Sequence, residues 1–282
     1  MKNISSDASS AVGPIGVFDS GYGGLTILRQ IRQLLPQYDY LYLGDNARAP
    51  YGTRSFDVIY RYTLEAVEAL FARGCRLVIL ACNTASAKAL RSIQENDLKR
   101  LDPSRRVLGV IRPTVEAVSR ITKTRHVGLL ATSGTVNSGS YALELKKTAP
   151  DVVVTGQACP MWVPLVENYE FDSPGADYFV KKRIDGIMRL DPQIDTLILG
   201  CTHYPLLMSK IVKYVPTGVR IVAQGEYVAT SLAEYLQRHA EIASRCSTGG
   251  TTHYLTTEDA AKFRESAALF MHQNVEVERI EI

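Results

Sequence analysis

Two cysteines, Cys82 and Cys201, occupy the same place in two copies of one local pattern. LVILACNTAS (77–86) runs from apolar residues into a small residue, a thiol, then Asn83 and Thr84 ahead of an alanine-rich stretch with helical spacing. TLILGCTHYPLL (196–207) repeats it with Cys201, Thr202 and His203. Each reads as a buried parallel strand that delivers its cysteine at the carboxyl end. In the first copy, Asn83 or Thr84 is expected to cap the helix that follows, so the turn offers free N–H groups to a small anion. A cysteine ending an apolar strand is ordinarily a small buried hydrophobe. Its recurrence in matched turns marks these two as chemical. Two thiols on opposite faces of one carbon can invert it, one removing the α-proton as thiolate while the other returns a proton as thiol. A free thiol titrates near about 8.5, so its neighbours must tune it; Asp19 and His203 fit as those partners. The carbanion also needs hydrogen-bond donors, which Ser20, Asn83, Thr84 and Thr202 supply.

The elements that must hold these residues alternate strand with helix. IGVFDS (15–20) predicts a strand, GYGG a tight turn, and LTILRQIRQLL a helix stopped by Pro36. A second strand over 38–43 opens into GDNARAPYGTRS, and loops of this composition carry function more often than shape. A helix over 55–73 with Gly74 as C-cap precedes the first cysteine turn. A strand over 107–111 then leads through Arg112 and Pro113 into a helix. At HVGLLATSGTV (126–136) the layout restarts: Gly128 falls opposite Gly16, 112 positions on, and Ala131 and Thr132 fall opposite Asp19 and Ser20. The two cysteines are 119 positions apart, so one small insertion reconciles the copies. Internal duplication is the simplest account. A strand over 219–223, a helix over 227–237, a strand at HYLTT and a helix over 258–271 complete the pattern, with Thr256 as N-cap and Asp259 as its N3 partner.

This alternation predicts an α/β fold of two similar, pseudo-symmetric domains, with mainly parallel sheets flanked by helices and the active site in the cleft between them. The expected division is a flexible leader over 1–14, a first domain from 15–111 plus 221–282, and a second from 112–220. Ligands of such sheets bind beyond the carboxyl ends of the strands, where Asp19, Ser20, Cys82, Asn83, Thr132, Cys201, Thr202 and His203 all fall.

Bulk properties narrow the function classes. With 32 basic and 29 acidic side chains the net charge is only +3, which indicates neither a nucleic-acid groove nor a membrane surface. The leader lacks a signal-peptide core and no apolar run has the length to span a bilayer, so a cytoplasmic protein is expected. Five cysteines without CxxC spacing favour free thiols over a disulfide framework or a zinc site, and no metal is expected. Cys75, Cys159 and Cys246 lack the turn context and read as structural. GYGG suggests a dinucleotide loop only weakly, because Thr26 stands at the sixth position of GxGxxG.

Six motifs, DSGYGGLT (19–26), APYG (49–52), ACNTAS (81–86), ATSGT (131–135), PLVE (164–167) and GCTHYPLL (200–207), resemble the glutamate racemases in order and nearly end to end. The resemblance implies cofactor-independent interconversion of L- and D-glutamate, with Cys82 acting on D-glutamate and Cys201 on L-glutamate. It implies that Asp19, His203 and Glu167 assist the thiols, and that Asp19, Ser20, Tyr51, Gly52, Asn83, Thr84, Thr135, Thr202 and His203 contact substrate. It further implies D-glutamate supply for peptidoglycan and a homodimer. The serine after CNTA and the histidine after GCT resemble the glutamate branch, since aspartate racemases tend to read CNTAH and GCTE. Two stretches depart from the family: Arg112-Pro113-Thr114, and Ala223-Gln224-Gly225 where an Asp-Ser-containing stretch is common. The competing readings are an aspartate or broad acidic amino-acid racemase, an idle amino-acid sensor on the same scaffold, and a dinucleotide-dependent enzyme.

Overall fold

The computed structural model describes residues 12–282. Its strands, in chain order, are β1 (Ile15–Asp19), β2 (Tyr40–Gly44), β3 (Leu77–Leu80), β4 (Arg106–Gly109), β5 (His126–Ala131), β6 (Val153–Ala158), β7 (Thr196–Gly200), β8 (Arg220–Val222), β9 (Thr252–Thr256) and β10 (Val277–Arg279). They form two wholly parallel sheets, one in the order β10-β9-β2-β1-β3-β4 and the other in the order β6-β5-β7-β8. The second order is the 2-1-3-4 core of the first, repeated. Register repeats too: Gly16 pairs with Val78, and Gly128, 112 residues on, pairs with Leu197, 119 residues on. The spacings read from the sequence are therefore built into the sheets.

Central strands are mostly apolar, as strands buried on both faces must be, with Asp19 at the end of β1 the charged exception. β1, β3 and β7 are buried at every position. One core runs unbroken from the first sheet to the second, joining Leu25, Leu28 and Ile31 with Trp162, Leu199 and Tyr204. The helices Leu25–Leu34 and Gly225–Arg238 pack against each other within it. The helix Phe56–Ala72 ends as expected at Gly74, whose φ of +92° suits glycine, and the N–H of Cys75 closes the turn on the carbonyl of Leu70.

Several boundaries differ from the sequence expectations. The leader lies outside the described residues except at its end, where Gly13 is held by a bridge to Cys246. β4 stops at Gly109 and the next helix is Ile111–Ile121, so Arg112 and Pro113 lie within its first turn, where a missing N–H costs nothing. β8 runs to Val222 and pairs with β7, so the second sheet extends past residue 220 before the chain returns. Thr256 ends β9 rather than capping the last helix. Asp259 is that cap, its carboxylate accepting from the N–H of Lys262 at 2.9 Å. β10 was not foreseen: Val277-Glu278-Arg279 carries too little apolar alternation to announce itself, and its pairing with β9 makes it a strand.

Candidate active site

The first cysteine leaves β3 into the short helix Asn83–Lys88, and Cys82 itself is the N-cap. Its sulfur accepts the N–H of Ala85 at 3.5 Å, a place the sequence had suggested for Asn83 or Thr84. The thiol also donates to Ser20 Oγ at 3.5 Å. Burial, reinforced by the nearby Asp19 carboxylate, pushes the Cys82 thiol up to about 12, so it holds its proton at neutral pH. Asp19 ends β1 and is buried; it accepts from the N–H of Gly21 at 3.0 Å through Oδ2, while Oδ1 has no hydrogen-bond partner among the described residues. Burial raises its carboxyl, with the charge of His203 and the N–H groups of Gly24 and Gly21 opposing.

The second cysteine has different company. His203 Nδ1 lies 3.9 Å from Cys201 Sγ, and its Nε2 lies 3.0 Å from Glu167 Oε1. Burial pulls this imidazole down, but the hydrogen bonds and charges of Cys201 and Glu167 outweigh it and hold the ring up at about 10. At neutral pH both ring nitrogens therefore carry protons and both donate. The GYGG turn exists for this approach: a Cβ on Gly23 would lie 2.2 Å from Thr202 Oγ1 and 2.5 Å from His203 Nδ1. Thr26 Oγ1 shares its proton between the carbonyls of Gly23 at 2.9 Å and Thr202 at 3.1 Å, tying the first half to the second thiol turn.

Both thiols open on one cavity of about 170 Å³. Ser20, Tyr51, Gly52, Asn83, Thr84, Glu167, Thr202 and His203 line it with them, and among the described residues no lysine or arginine does. The loop that carries Tyr51 closes it from the first half, and the Gly52 carbonyl accepts from the N–H of Gly134 at 2.8 Å. Thr135 and Asp19 stand behind the wall. Thr135 supports Thr84 at 3.3 Å and Thr132 at 3.1 Å between the hydroxyl oxygens. Among the described residues no group of three or more His, Cys, Asp or Glu is placed to hold a metal ion.

The racemase pattern described as Asp/Glu/Hydantoin racemase matches residues 23–232. The chain belongs to the Asp/Glu/hydantoin racemase family. Within that racemase family, the glutamate racemase of Ruegeria sp. (strain TM1040) is 41% identical over 274 residues, covering 94% of this chain and 98% of the relative. Among solved racemase structures, a glutamate racemase isoform from Bacillus anthracis superposes with a TM-score of 0.87 at 34% identity, covering 96% of this chain and 98% of that one. A glutamate racemase from Francisella tularensis subsp. tularensis SCHU S4, in complex with D-glutamate, gives 0.84 at 29% identity, covering 97% and 98%.

Some of this racemase's wall was invisible in sequence. Cys159 lines the cavity together with Val163 and Pro164, although it lacks a thiol turn, and burial pushes its thiol up. Val163 and Pro164 reach the wall on the Trp162–Glu167 helix, which also carries Glu167 of the PLVE motif. Tyr51 is present, but its hydroxyl is already spent: it donates to the buried carboxylate of Asp45, which also accepts from Arg48 Nε at 2.7 Å and Thr257 Oγ1 at 2.9 Å. Tyr51→Phe is accordingly expected to lower stability by about 1–2 kcal/mol, read by thermal melting, while KM for substrate stays within about two-fold.

Proposed function

We propose that the chain racemises glutamate without a cofactor, Cys201 removing the α-proton of the L-enantiomer while Cys82 delivers a proton to the opposite face, and the reverse for the D-enantiomer. The carrying observation is that two thiols from matched turns of the two sheets line one small cavity. Their states before L-glutamate binds suit this direction: Cys82 is a protonated thiol, and Cys201 sits beside a cationic imidazole. With no lysine or arginine in the lining among the described residues, the two substrate carboxylates fall to the hydroxyls of Ser20, Thr84 and Thr202, the Asn83 amide and backbone N–H groups near Gly52, beside the cationic ring of His203. Glu167 holds His203 in place for the second thiol, and Asp19 raises the proton affinity of the first.

The proposal extends to a homodimer in the cytoplasm that supplies D-glutamate for peptidoglycan. Five free, buried cysteines accord with a reducing compartment. The two-domain division, with the return crossing moved beyond Val222, goes with it. The test uses circular dichroism of L-glutamate in deuterated buffer with protein stripped of metal and pyridoxal phosphate. The optical signal should decay to zero while deuterium enters the α-carbon. A signal that persists with folded protein defeats the proposal, and decay with aspartate but not glutamate moves the substrate to the shorter acid.

A further inference from the structure

Thr114 and Gln224, 110 positions apart in the chain, meet in space, and they meet on a cavity residue. Gln224 Nε2 donates to Thr114 Oγ1 at 2.8 Å and to Tyr141 Oη at 2.8 Å. Gln224 Oε1 accepts from Asn83 Nδ2 at 2.6 Å, and Tyr141 Oη donates to Asn83 Oδ1 at 2.7 Å. All four side chains are buried: Thr114 is 0% exposed, Tyr141 1%, Asn83 3% and Gln224 3%. Only Asn83 among them lines the cavity.

The direction of every bond follows from one backbone carbonyl. Thr114 Oγ1 gives its only proton to the carbonyl of Val110 at 2.7 Å, so towards Gln224 it can only accept. The amide nitrogen of Gln224 must therefore face Thr114, and its oxygen must face Asn83. Tyr141 Oη accepts from that same nitrogen, which frees its own proton for Asn83 Oδ1. An amide flip at Asn83 would set oxygen against oxygen at Gln224. Asn83 is thus left with one orientation, one N–H and one lone pair not taken by the network.

The geometry assigns Gln224 as a positioning residue that fixes the Asn83 carboxamide so that its remaining N–H is presented to a substrate carboxylate. This rests on the reading of the cavity as an amino-acid racemase site. Gln224 touches no substrate itself. It acts through Asn83, with Thr114 and Tyr141 setting its polarity.

Kinetics with both glutamate enantiomers, alongside thermal melting, test it. Gln224→Met keeps the length but removes donor and acceptor, and should raise KM about ten-fold, the worth of roughly one well-placed hydrogen bond, with kcat within about three-fold. Thr114→Ser keeps the hydroxyl and should hold KM within about two-fold of wild type. Gln224→Glu carries the distinguishing readout. As a carboxylate it cannot donate to Thr114 or Tyr141, so KM is raised at neutral pH. As pH falls the buried acid takes up a proton, regains a donor, and KM relative to wild type at the same pH should drop. A purely structural role would lower the melting temperature of both variants and leave the KM-to-kcat split and its pH dependence unmoved. Unchanged KM in folded Gln224→Met overturns the inference. Should that variant not fold, a pH-flat KM ratio in Gln224→Glu overturns it, and Tyr141→Phe should show the same rise in KM as the Met variant. Wild-type turnover of glutamate with unmoved KM in the variants defeats this inference alone, whereas wild type that does not racemise glutamate defeats it together with the proposed function.

Discussion

Cys82→Ser and Cys201→Ser should each cut racemisation by at least about 10³-fold, within the range a positioned acid or base contributes, while the fold persists. Serine is nearly isosteric, and neither sulfur carries a large share of the core. What is lost is acidity, because a hydroxyl is a far poorer proton donor than a thiol and a far less accessible anion. Each variant keeps one working thiol, so exchange and inversion should come apart. With Cys82 replaced, deuterium from solvent should enter L-glutamate without forming the D-enantiomer. With Cys201 replaced, it should enter D-glutamate alone. Mass spectrometry after chiral separation reads both. Equal exchange into both enantiomers in either variant, or near-normal inversion, would remove the two-thiol arrangement.

The second large effect belongs to His203. His203→Gln should lower kcat by about 10²-fold in the L-to-D direction, because glutamine keeps a hydrogen bond to Glu167 or Cys201 but brings no positive charge beside the sulfur. The pH profile gives the sharper reading. The folded ring is held at about 10 against an ordinary 6.5, so its cationic form dominates through neutrality and is lost as pH rises towards 10. Wild-type activity on L-glutamate should therefore fall on the alkaline side near that value, and the glutamine variant should lack that limb. The sign for stability follows from the same raised value. The ring's contribution to folding is complete below about 6.5 and disappears as pH rises through about 10, so wild type should lose its advantage over His203→Gln across that window, as read by denaturant titrations. A glutamine variant with the wild-type alkaline limb would show that another group titrates there.

The sequence carried the thiol turns because they are local: an apolar run, a thiol and small polar residues occupy ten consecutive positions, and burial of β3 and β7 demands that order. The duplication was legible for the same reason, through glycines and cysteines at matched offsets that reappear as strand register. Contacts that depend on distant elements were not legible. Nothing near Cys159 announces that it faces the cavity, and Gln224 gives no hint that it bonds to residues 83, 114 and 141. Capping was misjudged where two adjacent residues could both serve. Asn83 and Thr84 are good caps by type, yet the helix begins at Asn83 itself and leaves the role to Cys82.

The repeated 2-1-3-4 strand order bears on thermodynamics as well as geometry. Mirror-image amino acids have the same free energy in water, so catalysis of their interchange has no downhill side, and a catalyst must serve departure from either hand. A protein made by using one building unit twice starts with equivalent approaches to the two sides of its ligand. Covalent linkage of the units then lets the surroundings drift apart, hydroxyl and carboxylate beside one sulfur and imidazolium beside the other. The handedness problem is met by the topology, and only the tuning is left to individual side chains.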